Sequence, residues 1–193
     1  MQLHRLVAYV IYVSMNLTET TLSKQTLLDG IVFDVERIDV ALADGTRSKR
    51  DIVRHRGGVG ILARSANGEF LLVRQFRKAI ESESLEIVAG MRDPGENPQV
   101  TGERELLEET GYKAKSIHYL GRYLPSPGYT DEVDDLFFAE LETNASDLTL
   151  DADERLVVER YPYEEMTRMF HENKIVDGKS IAAWFFAKDK GYI

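Results

Sequence analysis

Residues 31–41 (IVFDVERIDVA) alternate apolar and polar positions, the period of a strand with one buried face. Asp44-Gly45 follows as a hairpin turn, and residues 46–55 return as a second strand. Both strands are short and charged and have little core of their own. They predict a small antiparallel sheet that packs on something else. Gly57-Gly58 then reads as a break. Residues 59–63 (VGILA) form a continuous apolar run, as expected of a strand buried on both faces. Asn67-Gly68 is a second hairpin signal, leading into Phe70-Leu71-Leu72-Val73 and Arg74-Gln75-Phe76-Arg77. Residues 85–89 (LEIVA) read as one more short strand, which runs directly into a loop starting at Gly90.

The helix after that loop is marked at both ends. Asn97 suits an N-cap, Pro98 the first helical position and Gly111 the residue that closes the helix. Strands are expected near 116–123 and 133–141, separated by the loop Pro125-Ser126-Pro127-Gly128-Tyr129. Residues 156–159 read as a strand. Residues 163–172 read as a helix with Met166, Met169 and Phe170 on its inner face. Asp177 can cap a last helix whose apolar stripe is Ile181, Trp184 and Phe185. No internal repeat or low-complexity segment is present. Many short strands with about three helices and uneven connections argue against a regular βαβ winding and for a mixed α+β sandwich.

Composition narrows the chemistry. The 193 residues are 43% hydrophobic and 30% charged, which suits a globular chain with a real core. A formal net charge of −9 argues against nucleic acid or an anionic membrane as partner. The absence of cysteine excludes disulfides, thiol catalysis, iron–sulfur clusters and zinc–thiolate sites, and it fits a cytoplasmic protein. The apolar run at residues 6–13 (LVAYVIYV) is far shorter than the roughly 18 residues of a spanning helix, and no small-residue cleavage pattern follows it. It reads as a strand, or residues 1–14 are an extension ahead of a more ordinary polar opening at Met15. The four histidines, His4, His55, His118 and His171, are scattered without ligand spacing and read as structural or solvated.

The chemistry concentrates in residues 90–112. With Arg104 placed at zero on a helical wheel, Glu108, Glu105 and Glu109 fall near ~40°, ~100° and ~140°, on one face. Val100 and Leu107 fall on the opposite side, with Leu106 on a flank, so the expectation is one packed face and one acidic face. Gly102, near ~160°, is expected to weaken the helix slightly. A run of charge is usually a solvated face. Here, however, the carboxylates repel one another at i,i+3 and i,i+4 and lie in the last turns, where the helix dipole disfavours them. Clustered oxygen ligands on one face are also what magnesium or manganese requires. The residues alone leave both readings open.

Gly90, five residues, Glu96, seven residues, then Arg104-Glu105-Leu106-any-Glu108-Glu109-any-Gly111-Tyr112 resembles the Nudix box at every defined position. The resemblance implies an α/β/α sandwich with a mixed sheet and hydrolysis of a nucleoside diphosphate linked to another group. Carried over by position, Glu105, Glu108 and Glu109 with the carbonyl of Ala89 would hold magnesium, or manganese. Glu109, Glu108 and Arg104 would be catalytic, Arg104 by orienting the glutamates. Gly90, Glu96 and Gly111 would support the loop and helix.

Residues outside the box are similar to the ADP-ribose pyrophosphatase branch: Arg74-Gln75-Phe76-Arg77, residues 85–90, Ser126-Pro127-Gly128, and Pro127 sixteen residues past Gly111. The branch implies ADP-ribose as the small-molecule substrate, yielding AMP and ribose 5-phosphate. The alternatives are another nucleotide sugar such as GDP-mannose, or a non-catalytic module that senses a nucleotide. By the same analogy Arg50, Arg77, Glu86 and Glu132 are candidate substrate contacts, although each could equally be a surface salt bridge or strand-entry charge. Glu154 is the first choice for a general base in the acidic loop 151–154, with Asp153 second. Tyr129 is a candidate stacking residue, whereas Trp184 reads as core. Residues 1–56 would form an N-terminal strand-and-hairpin region that pairs two copies in a homodimer, and residues 57–193 the hydrolase domain.

Overall fold

The computed structural model describes residues 16–146 and 155–193. The N-terminal hairpin is present, as β2 (Phe33–Leu42) and β3 (Arg47–His55), and a further strand β1 (Glu19–Leu28) extends it to an antiparallel three-stranded sheet ordered β1-β2-β3. Gly45 takes φ 84 in the β2–β3 turn, where the Thr46 N–H donates to Asp44 Oδ1 at 2.9 Å. Strand β1 had no signal in the sequence because all ten of its residues are exposed and none alternates toward a core. Its register comes from its pairing with β2, including the cross-strand ion pair Lys24–Glu36 at 3.1 Å.

The main sheet has seven strands. β4 (Gly58–Arg64) lies at its centre, between β5 (Phe70–Arg77) and β9 (Asp134–Ala145), in the order β10-β5-β4-β9-β8, where β10 is Leu156–Tyr161 and β8 is Tyr112–Tyr123. β4 and β9 run parallel, while the other pairs are antiparallel, so the sheet is mixed as expected. The continuous apolar runs have a simple cause. Along β4, β5 and β9 alternate residues feed two separate cores, one on each face. Leu62, Phe70, Leu72, Leu136 and Phe138 join α2 (Tyr163–His171) and α3 (Gly178–Asp189) through Met166, Met169 and Trp184. Val59, Ile61, Leu71, Val73, Phe137 and Ala139 pack with Leu106 of α1 (Pro98–Thr110). Each fully buried Leu, Ile or Phe contributes about 1.5–3 kcal/mol of hydrophobic stabilisation.

Two local expectations are corrected. Residues 85–89 are not one strand. β6 (Ser82–Glu86) pairs with β5 and β7 (Val88–Met91) with β4, and the chain changes partner at Ile87, whose N–H donates to Ser180 Oγ of α3 at 2.9 Å. On α3, Ile181 and Phe185 are exposed. The buried stripe is Ser180, Ala183, Trp184 and Ala187, with the Trp184 ring within 5.1–5.4 Å of Phe70, Tyr163 and Phe170. Among the described residues no helix is long and apolar enough to cross a membrane.

Candidate active site

Helix α1 is rotated from the orientation that amphipathicity predicts. Val100 is exposed and Leu107 only half-buried. The buried residues are Thr101, Gly102, Glu105, Leu106, Glu109 and Thr110. Two glycines allow this. A Cβ on Gly102 would sit 3.1 Å from Ile61 Cδ1, so its absence brings the helix close to β4, and the expected weakening is offset by that approach. A Cβ on Gly90 would sit 1.9 Å from the carboxyl carbon of Glu105, so only glycine there leaves room for that carboxylate against β7. The Ala89 N–H contacts Glu109 Oε2 at 3.4 Å. Two of the box carboxylates therefore lie between helix and sheet, where a charge is costly unless compensated.

Arg104 is the cation that compensates Glu105. Its Nη1 donates to Glu105 Oε1 at 2.8 Å and Glu108 Oε2 at 3.0 Å, and its Nη2 to Glu96 Oε2 and the Met91 carbonyl, both at 3.3 Å. Burial pulls the guanidinium pKa down, but the three glutamates outweigh it and hold it above the ordinary value. Glu96 also accepts from Thr101 Oγ1 at 2.8 Å and the Asp93 N–H at 3.3 Å. Arg104 first, then Thr101, hold the Glu96 carboxyl below its usual range. The helix ends follow the sequence signals: Asn97 Oδ1 accepts from the Gln99 N–H at 2.9 Å, and Gly111 closes the helix at φ 73.

A cavity of about 640 Å³ opens beside this face. Ala89, Gly90 and Glu109 form part of its wall, and Arg77, Lys179, Glu132, His55 and Asp134 line it further round. Arg77 grips Glu86 through two bonds of 2.8 and 2.7 Å, and Lys179 Nζ adds a third at 2.5 Å while also reaching Asp177 Oδ1 at 2.9 Å. Burial alone would raise the Glu86 carboxyl. Arg77 and Lys179 overcome it and hold the group at about 2. For Lys179 burial acts downward, and Asp177 and Glu86 bring the net shift above the ordinary value.

Two adjacent aspartates at the start of β9 differ sharply. Asp135 is buried and faces Tyr119 Oη at 3.0 Å, with Arg92 and Arg122 each at 3.5 Å. Asp134 is 7% exposed, and among the described residues its carboxylate accepts no hydrogen bond. Burial, then the charge of Glu132, push it up to about 6 against the opposing pull of Lys179 and His55.

The sequence-derived candidates divide accordingly. Arg77, Ala89, Gly90, Glu109 and Glu132 share the cavity wall, and Glu86 lies directly behind Arg77. Glu105, Glu108 and Glu96 meet at Arg104. Arg50 is not brought to the cavity. It lies on the N-terminal sheet, paired with Glu19 at 2.6 Å. Tyr129 is exposed and outside the lining, where Tyr123 and Pro125 stand instead. Glu154 and Asp153 lie outside the described residues. Among the described residues no three His, Asp or Glu side chains form a ready ligand set. Sequence reasoning missed Lys179, Asp134 and the cavity position of His55. A usable signal for Asp134 was a pair of aspartates opening an otherwise apolar strand. Lys179 was hidden because Asp177 beside it read only as a helix cap.

The NUDIX domain family matches residues 54–185. An ADP-ribose pyrophosphatase of Bacillus subtilis is 38% identical over 169 residues, covering 87% of this chain and 91% of that protein. A GDP-mannose pyrophosphatase of Escherichia coli is 31% identical over 176 residues, covering 84% and 92%. The crystal structure of an ADP compounds hydrolase superposes with a TM-score of 0.80 at 24% identity, over 93% of this chain and 98% of the other, and bears out the mixed-sheet fold.

Proposed function

This chain belongs to the Nudix family, and on that premise we propose that it hydrolyses the diphosphate bond of ADP-ribose to AMP and ribose 5-phosphate. The carrying observation is the 38% identity, over 87% of the chain, to the Bacillus subtilis ADP-ribose pyrophosphatase. The cavity supports the reading, because its wall brings Ala89, Gly90 and Glu109 of the box together with Arg77, a cation suited to an anionic substrate.

The residues present fit a hard divalent cation: the donors are all oxygens, and Gly90 leaves the gap in which the Glu105 carboxylate sits. Glu105, Glu108, Glu109 and the Ala89 carbonyl would hold magnesium, with manganese as the alternative. When bound, the ion would offset the diphosphate charge and make a water more acidic. Arg104 keeps Glu105 and Glu108 in place, and Glu96 keeps Arg104 in place. Arg77 is the proposed substrate contact, and Glu86 holds both Arg77 and Lys179 in place. Glu132 lines the same cavity. Glu154, with Asp153 second, is the proposed general base.

We also propose a cytoplasmic homodimer in which residues 1–56 form the pairing region and 57–193 the hydrolase domain. Exposed Leu22, Leu27, Leu28 and Phe33 on the small sheet support the pairing, and so does the position of Arg50 away from its own cavity, where a neighbouring copy could meet it. The test of function is a panel of ADP-ribose, ADP-glucose and GDP-mannose with product identification. ADP-ribose turnover that falls at least a hundredfold in folded Glu109→Gln is the expected result. Strong GDP-mannose turnover without ADP-ribose turnover would favour the second reading, which the Escherichia coli relative supports. Tight ADP-ribose binding without hydrolysis in magnesium would leave a sensing module.

A further inference from the structure

Asp134 is a buried carboxylate that the site chemistry described above does not use. Asp134 lines the cavity, is 7% exposed and accepts no hydrogen bond among the described residues, whereas Asp135 beside it has three donors within 3.5 Å. Among the described residues no protein donor reaches this carboxylate, so its acceptors are left to whatever occupies the cavity.

Its place in the sheet indicates which part of a substrate that is. Gly58 pairs with Met91 of β7 on one side and with Asp134 of β9 on the other. Asp134 is therefore two strand spacings, about 10 Å, from the strand that carries the box residues Ala89 and Gly90. Gly58 also clears its approach: a Cβ there would lie 2.7 Å from Asp134 Oδ1. The titratable groups facing Asp134 are Glu132, Asp177, Lys179 and His55. Lys179 is already committed to Glu86 and Asp177, and His55 Nδ1 accepts from the Gly57 N–H at 3.1 Å. With Glu132 adjacent, the local field repels phosphate and favours neutral donors. Two carboxylate oxygens match the two hydroxyls of a vicinal diol.

We propose that Asp134 is a substrate-binding residue that accepts hydrogen bonds from ribose hydroxyls, in a sugar subsite separated from the metal-binding face by β4. This rests on the proposed function, since it takes a ribose-bearing diphosphate as the ligand. Either ribose of such a compound offers the diol, the one on the nucleoside or the terminal one.

Titration calorimetry in EDTA, where turnover is blocked, tests it with ADP-ribose, ADP, 2′,3′-dideoxy-ADP and ribose 5-phosphate against the wild type, Asp134→Ala and Asp134→Asn. The expected result is an affinity for ADP-ribose about tenfold or more weaker in Asp134→Ala, and a smaller loss in Asp134→Asn, which keeps the shape and one acceptor. A loss shared by ADP but not by dideoxy-ADP assigns the nucleoside ribose. A loss shared by ribose 5-phosphate but not by ADP assigns the terminal ribose. ADP-ribose affinity within twofold of wild type in both variants overturns the proposal. So does an equal loss for ADP and dideoxy-ADP, which would place the contact on a group the two share, the base or the diphosphate, and not on the hydroxyls. A wild type that neither binds nor hydrolyses ADP-ribose overturns the proposed function and the subsite with it, whereas a wild type that binds beside insensitive variants overturns the subsite alone.

Discussion

Replacing Gly90 with alanine separates stability from site geometry. The new Cβ would lie 1.9 Å from the Glu105 carboxyl carbon and 2.0 and 2.4 Å from its oxygens. Ordinary contact begins near 3.4 Å, so the carboxylate must retreat by about 1.5 Å. The clash is with the far end of a flexible side chain and not with backbone, and Gly90 is not among the residues with positive φ. The fold should therefore lose little, about 1–2 kcal/mol for local overpacking. Activity should lose much more, because a misplacement of about 1 Å at a reacting centre costs on the order of a hundredfold. Urea denaturation and kcat/KM for ADP-ribose read the two effects separately. A folded Gly90→Ala protein with kcat/KM within tenfold of wild type would refute the role given to Glu105. A stability loss above about 4 kcal/mol would refute the flexible retreat.

Two further predictions concern pH. Glu86 lies at about 2 in the folded protein against 4.5 ordinarily, so its contribution is fully present above pH 4.5 and is lost as pH falls toward 2. Glu86→Gln should destabilise by up to about 3 kcal/mol at pH 7, with the difference from wild type closing across that window; urea midpoints that keep a constant gap down to pH 2.5 would contradict it. Asp134 shows the opposite sign. Its carboxyl is raised to about 6 from 3.8, so its ionisation is a cost present above pH 6 and relieved as pH falls to 3.8. Asp134→Asn should raise stability at pH 8 by up to about 3 kcal/mol and gain nothing below about pH 4, even as it weakens binding; a thermal midpoint at pH 8 no higher than wild type would count against the burial penalty.

The local grammar of the chain was legible. The caps at Asn97 and Asp177, the turns at Gly45 and Gly68 and the doubly buried strand β4 depend on neighbours in sequence, and they form as expected. The box spacing identified the family and the reaction class, because nine positions within residues 90–112 all meet its pattern. What the sequence could not decide was which way α1 faces. Amphipathicity predicts that apolar Val100 packs and glutamates face water, but two missing methyl groups, at Gly90 and Gly102, let the helix turn Glu105 and Glu109 toward the sheet instead. Strand pairing decided the rest. Lys179 lies 93 residues from Glu86, and Asp134 reaches the cavity only because β9 lies parallel beside β4. Short-range patterns register the conformational preference of each segment, whereas the charge and hydrogen-bond environment of a side chain is set by groups that only tertiary packing brings within a few ångströms.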